Sequence, residues 1–301
     1  MERDTAQSGI GTGDAFGVCP RTVVMAFADG PGPVQPNWKA ISIVSAGGRI
    51  TELYGRSAMD RLQDKIERFR RRLRTLSDFE KWDWQEEFRL RFTHDSTGIE
   101  GSLLTVLDVK MILFDGIIPA GTKVADYEAV RGYDRAWTAL REAAAAGLPL
   151  TEALIGDIRR LAAPLDTMDG RYREYPVYIR GSQAVLATAE SVGERMKTLA
   201  DYIAADNFSS PLERAARIHG EFSKIQPFLS GNGPTARLMM NYPLVAAGYP
   251  PLSIQKAQQA EYFQALEAYE LDDEIQPLRE LLMECLEERL AEFFSMYGRS
   301  Y

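Results

Sequence analysis

Cysteine and histidine are both scarce in this sequence. Among 301 residues there are two cysteines, Cys19 and Cys285, and two histidines, His94 and His219. Two thiols rule out a disulfide framework. There is no run of about 18 apolar residues, so no membrane-spanning helix is expected. The N-terminal stretch Met1-Glu2-Arg3-Asp4 and onward lacks the apolar core of a secretory signal, and a cytoplasmic protein is expected, although a polar signal for injection into a host would leave the same trace. Positive charge is in deficit: 35 Lys and Arg against 43 Asp and Glu give a net charge of −8, which argues against nucleic-acid binding. Internal repeats are absent, and the alanines near 143–146 are the only low-complexity tract. What is present is ordinary. Apolar residues at 45% and charged residues at 26% describe a soluble globular chain, long enough for one large domain or two small ones.

Read in order, residues 1 to about 20 are rich in Gly, Ser, Thr and Asp, which predicts a mobile segment. Val23–Phe27 and Ile41–Val44 predict two short strands flanking a Gly-Pro loop, a small N-terminal hairpin. From 57 to 77, Leu62, Ile66, Phe69, Leu73 and Leu76 form one helical stripe, and Lys65, Arg68, Arg70, Arg71, Arg72 and Arg74 load the other sides. That charge reads as a solvated face or as a docking surface for an acidic partner. A second helix is expected over Glu80–Phe92. Thr97 and Glu100 then have the spacing of a capping box at the start of a further helix. Helices follow from 103 to 146, broken at Gly116–Gly121, and from Thr151 to Ala162. In 170–182, Val177 and Ile179 alternate with Tyr178 and Arg180, the period of a strand. Glu190–Ala205 and Leu212–Lys224 are again helical, and His219 lies on the apolar side of the latter with Phe222, the place of a satisfied core histidine. Two amphipathic helices close the chain, one through Phe263, Leu266 and Tyr269, the other through Leu278, Leu282, Cys285, Leu286, Phe293 and Phe294.

The chemistry concentrates in His219–Pro251. Gly231-Asn232-Gly233 is a tight turn that presents successive backbone N–H groups. Pro234 suits the first position of a helix, where no N–H is needed, Leu238, Met239 and Met240 carry that helix inward, and Gly248, Pro250 and Pro251 end it. A glycine turn opening a helix is an anion site, because the free N–H groups and the helix dipole both favour negative charge. Arg237, one turn in, can reach the same anion.

The longer string resembles the core motif of the Fic family, His-Pro-Phe-x-Asp/Glu-Gly-Asn-Gly-Arg-x-x-Arg. Here it is Gln226-Pro227-Phe228-Leu229-Ser230-Gly231-Asn232-Gly233-Pro234-Thr235-Ala236-Arg237. That family mostly transfers AMP from ATP to a protein hydroxyl. The resemblance covers roughly residues 90–275 and implies an all-α Fic fold: a helical domain over 57–301 after an N-terminal extension, 1–56. It also implies that 170–182 is a β-hairpin flap whose Val177, Tyr178 and Ile179 hold an extended peptide by strand addition. Ser96-x-x-x-Glu100-Gly101 is similar to the inhibitory motif that many members carry before the core, which places an inhibitory helix at 96–115 and brings Ser96 and Glu100 to Arg237.

Three chemical positions depart from the motif. Gln226 stands where the family has its general-base His, and an amide cannot take a hydroxyl proton; such a base typically contributes about 10²–10⁴-fold. Ser230 replaces the carboxylate that anchors Mg²⁺. Pro234 replaces the first phosphate-binding Arg. AMP transfer is therefore expected to be absent or very slow, with no cofactor expected and no anchor for Mg²⁺ in the motif. Two readings stay open. One is a pseudoenzyme that keeps a nucleotide or anion cradle at Gly231, Asn232, Gly233 and Arg237. The other is an enzyme with different chemistry in the same cleft, with Glu100 and Gln226 as its candidate catalytic residues, Glu100 the base, and His94 a lesser candidate. The ligand is a nucleotide, a nucleotide sugar or another phosphate, and a homodimer is one option for assembly.

Overall fold

The computed structural model describes residues 23–25, 48–165, 170–179, 181–205 and 208–298. Helices dominate them. In chain order they are α1 (Gly48–Thr75), α2 (Asp78–Ile99), α3 (Val106–Lys110), α4 (Val124–Ala145), α5 (Glu152–Ala162), α6 (Val192–Ala204), α7 (Pro211–Ile225), α8 (Asn232–Met239), α9 (Asn241–Ala246), α10 (Gln259–Asp272) and α11 (Gln276–Tyr297). The all-α expectation holds. No helix of the described residues is long and apolar enough to cross a membrane.

The predicted stripe on α1 is real: Leu62, Ile66, Phe69 and Leu76 are buried and pack with Leu278, Leu282, Leu286 and Phe293 of α11 in one hydrophobic cluster. A second cluster joins α2 and α4 to α5, α6, α7 and α8 through Phe92, Tyr133, Trp137, Ile158, Met196, Phe222 and Met239. Helix α7 lies between the two, touching α6, α8, α9, α10 and α11. Its packing is close enough to dictate sequence: a Cβ on Gly220 would stand 2.5 Å from a ring carbon of Tyr269.

Several boundaries differ from expectation for local reasons. Capping boxes form at Ser77/Glu80, which starts α2, and at Thr105/Asp108, which starts α3. Thr97 and Glu100 form none. Thr97 lies in the last turn of α2, its hydroxyl bonded back to the Thr93 carbonyl, and Glu100 is the residue that follows the helix end. The segment 96–115 is thus not one helix: α2 ends at Ile99, a loop intervenes, and α3 runs into a π-helical turn at Met111–Asp115. Helix α8 begins at Asn232, so Pro234 is its third residue rather than its first, still among the positions whose N–H has no intrahelical acceptor. It also ends at Met239, and α9 continues to Ala246, after which Gly248 turns with φ +71°. The strand expected in 170–182 is present as β2 (Val177–Ile179), but its antiparallel partner is β1 (Val23–Met25), with Val23 opposite Ile179 and Met25 opposite Val177. The sheet thus joins distant parts of the chain instead of closing a local hairpin. The second predicted N-terminal strand, 41–44, falls outside the described residues.

Candidate functional site

The site begins where α7 stops. Gln226 adopts the left-handed conformation, φ 44° and ψ 62°, unfavourable for a residue with a Cβ. Arg173, 1% exposed, holds it there. Its Nε donates to the Gln226 carbonyl at 2.7 Å, its Nη2 donates to the carbonyls of Ile225 at 3.2 Å and Ala187, and its own N–H donates to the Pro227 carbonyl. One guanidinium thereby satisfies carbonyls left open at the helix end. Burial pulls the Arg173 pKa below its ordinary value.

The loop after Gln226 is pinned by Asn232. Its side chain accepts from the Phe228 N–H at 3.0 Å and donates to the Phe228 carbonyl at 2.7 Å. The Asn232 amide is therefore spent on the loop, and only its backbone N–H remains for a ligand. Gly231 supplies the left-handed step before α8, φ +71°, and a Cβ there would crowd Arg159 Nε at 3.1 Å. The backbone N–H groups of Gly231, Asn232 and Gly233 find no acceptor among the described residues. They form an open cradle at a helix N-terminus.

Glu100 lies over that cradle. A Cβ on Gly233 would stand 2.7 Å from Glu100 Oε1 and 3.2 Å from Arg237 Nη1, so only glycine leaves room for the carboxylate. Arg237 is 1% exposed and its donors are fully directed. Nε reaches Ser96 Oγ at 2.8 Å, Nη2 reaches the Ser96 carbonyl at 3.1 Å and Glu100 Oε1 at 2.7 Å, and Nη1 reaches the Tyr262 hydroxyl at 3.4 Å. Burial alone would lower the Arg237 pKa; attraction to Glu100, then to Tyr262 and Tyr133, outweighs it and the net shift is upward. The other end of α2 gains too. Its open carbonyls are met by Arg237 at Ser96, by the Ser102 N–H at Thr97, by the Gly101 N–H at Gly98, and by Gln259 Nε2 at Ile99. Glu100 follows the negative end of α2 and faces the positive end of α8, so the helix dipole that favours its charge is that of α8, not that of its own helix.

Glu100, Gln226, Ser230, Gly231, Asn232, Gly233 and Arg237 line one cleft of about 220 Å³ together with His219, Ser223, Tyr262 and Ile179. Of the three strand residues picked from the sequence, Ile179 alone reaches the cleft; Val177 is buried and Tyr178 is 46% exposed. His94 is elsewhere, paired with Asp95 at 3.0 Å in a separate cavity beside Cys285 and Arg289. His219 is fully buried and bonded through Nε2 to the Tyr262 hydroxyl at 2.9 Å, as expected of a core histidine, although it also forms part of the cleft wall.

Ser230 is gripped from α5: Arg159 Nε donates to its carbonyl at 2.9 Å and Nη2 to its hydroxyl at 3.3 Å. A hydroxyl beside a guanidinium is a poor donor set for Mg²⁺, which wants anionic oxygen, and no group of three metal-capable side chains occurs among the described residues. These residues do not fit the ion. Arg159, Arg173, Ser223, Tyr262 and Glu270 were not picked from the sequence. The available signal was a polar residue on an otherwise apolar helical stripe, as at Tyr262, Leu266 and Glu270.

Comparison with known proteins agrees with the geometry. The Fic/DOC family model matches residues 149–244. The chain is 29% identical over 210 residues to the protein adenylyltransferase Fic of Drosophila willistoni and 28% identical to that of Drosophila virilis, in each case over 68% of this chain. It spans about 42% of the length of the former relative and 43% of the latter. Among solved structures, a Fic domain containing signaling protein from Bacteroides thetaiotaomicron aligns with TM-score 0.69 at 25% identity, over 81% of this chain and 99% of that one. Fic-1 from C. elegans aligns with TM-score 0.71 at 22% identity, over 82% and 73%.

Proposed function

The chain belongs to the Fic/DOC family, and from that premise we propose that it is a binding module in which the family's AMP transfer has been lost while the anion cradle is kept. The observation that carries this reading is the residue at the end of α7. Gln226 holds the left-handed position in the wall of the cleft, and an amide there accepts no proton from an incoming hydroxyl. Ser230 under Arg159 offers no anionic ligand for Mg²⁺, and Pro234 brings neither charge nor N–H to the cradle. What remains is the set of open N–H groups on Gly231, Asn232 and Gly233 beside Arg237, suited to a phosphate on a nucleotide, a nucleotide sugar or a smaller body.

In this reading Glu100 is a built-in competitor. Its carboxylate occupies the space over Gly233 and is 40% exposed, so it can swing away when a phosphate takes its place. The same geometry is the basis for an alternative, in which Glu100 serves as the base of a different reaction. Its bond to Arg237 favours the counter-ion role. Strand β2 has one edge taken by β1, so peptide addition at Val177–Ile179 needs the other edge. Helix α1 already begins at Gly48, so the helical unit that carries the site starts before the expected residue 57; a cytoplasmic setting and a homodimer are consistent with it.

The test is thermal unfolding of the full chain with inorganic phosphate, ATP and UDP-glucose, each with EDTA. A ligand at 100 times its Kd adds about 2.7 kcal/mol of stability. The proposal expects a rise in Tm with at least one phosphate compound in the absence of metal, and a larger rise in Glu100→Ala. No shift in either protein would remove the cradle.

A further inference from the structure

Behind the cradle the facing sides of α7 and α10 carry a line of polar groups inside an apolar core. His219 and Ser223 lie one turn apart on α7, Gln226 caps the end of that helix, and Tyr262 and Glu270 lie two turns apart on α10. The Ser223 hydroxyl donates to Glu270 Oε1 at 2.5 Å, and Gln226 Nε2 donates to Ser223 Oγ at 3.5 Å. These two bonds fix the direction of the chain. A carboxylate oxygen accepts, so the serine proton points to Glu270, the serine lone pair takes the amide N–H, and the amide oxygen of Gln226 is the atom left over. That oxygen is buried and has no donor among the described residues, although Gln226 lines the cleft and is 6% exposed.

Three features thus meet at one side chain, the last following from the second. Its backbone is held in a left-handed conformation by Arg173, its amide is oriented from behind by Ser223 and Glu270, and its acceptor is unmatched. Buried unmatched acceptors are rare in folded proteins, and strain that the surroundings enforce points to a role for the residue. The cleft of about 220 Å³ is also below the usual range for drug-sized ligands, about 300–1,000 Å³.

We propose that Gln226 is a specificity-determining residue for a small phosphate monoester. Its Oε1 accepts a hydrogen bond from a hydroxyl or ammonium group on the ligand body while the phosphate rests on the N–H groups of Gly231–Gly233. Ser223 and Glu270 are positioning residues that set the amide orientation. The ligand class is a phosphate with a short hydroxylated or aminated body. The inference rests on the cradle reading and goes beyond it, since the cradle alone does not choose among phosphates.

The experiment is isothermal titration of the full chain carrying Glu100→Ala, so that the carboxylate does not compete, in EDTA. The ligands are inorganic phosphate, methyl phosphate, glycerol 3-phosphate and O-phosphoethanolamine. One matched hydrogen bond in a desolvated site corresponds to about a three- to tenfold preference. Glycerol 3-phosphate or O-phosphoethanolamine is expected to bind tighter than methyl phosphate by that factor. Adding Gln226→Met should bring the ratio to about one, and adding Ser223→Ala should reduce it partway. Equal affinities before the second substitution, or a preference that survives Gln226→Met, would overturn the inference while leaving the cradle intact. No binding of any of the four would instead strike the cradle reading, and this inference with it.

Discussion

Replacing Arg237 by alanine should destabilise the protein far more than replacing Glu100 by glutamine. Arg237 is 1% exposed and donates to Ser96 Oγ, the Ser96 carbonyl, Glu100 and the Tyr262 hydroxyl. Without the guanidinium, the Ser96 carbonyl at the end of α2 is a buried acceptor with nothing to accept from, which costs about 1–3 kcal/mol. The vacated volume adds a cavity term of similar order. The ion pair itself contributes little, because the Glu100 side chain is 40% exposed and water screens a pair of that kind to about 0–1 kcal/mol. The expected loss for Arg237→Ala is therefore about 2–6 kcal/mol. Gln at 100 can still accept from Arg237, so Glu100→Gln should lose at most about 1 kcal/mol. Urea unfolding of the two variants, compared at unchanged m-value, measures the difference. Equal losses, or a larger loss for Glu100→Gln, would refute the assignment of stability to the buried guanidinium rather than to the ion pair.

Three further outcomes are expected. Gln226→His alone should not restore AMP transfer, whereas Gln226→His with Ser230→Asp, Pro234→Arg and Glu100→Gly should raise it above the single variant in an assay with labelled ATP and Mg²⁺; activity from the single change would show that positions 230 and 234 matter less than argued. Gly233→Ala should displace Glu100, because the new Cβ meets its Oε1 at 2.7 Å, and should abolish the phosphate-induced rise in Tm at little cost in stability, since the half-exposed carboxylate can move. Cys285 is buried and its thiol is pushed up to about 12, chiefly by burial; with a raised pKa the thiolate is scarce below that value, so at pH 8 only about 10⁻⁴ of it is reactive. Peptide mapping after treatment with a thiol reagent should find Cys285 unmodified in the native protein and modified in urea.

Much of this architecture was legible in local pattern. The α1 stripe and the glycine turn of the cradle each follow from a few neighbouring residues. The end of α2 was not legible from local pattern. Thr97 and Glu100 have the spacing of a capping box, but Ser77/Glu80 and Thr105/Asp108 on either side set the helix boundaries, and only the family resemblance pointed Glu100 to Arg237, the buried arginine 137 residues away that it meets. The strand at Val177–Ile179 could be read from its alternation, whereas its partner at Val23–Met25 could not, because nothing in either segment specifies the other. Arg173, Ser223 and Glu270 are residue types that belong to surfaces by default. Only the packing of α7 against its neighbours turns them inward and makes them part of the site.

The central claim is loss of transfer with retention of the cradle, and the Glu100→Gly variant tests it most directly. That substitution removes the carboxylate that lies over Gly233, so neither inhibition nor a blocked cradle can account for silence. The purified variant, incubated with labelled ATP and Mg²⁺, is read for covalent label on itself and on added protein, and in parallel for a phosphate-dependent rise in Tm. The account predicts the rise in Tm and no covalent label. Label incorporated at a rate near that of a family member with the intact His, Asp/Glu and Arg motif would contradict it.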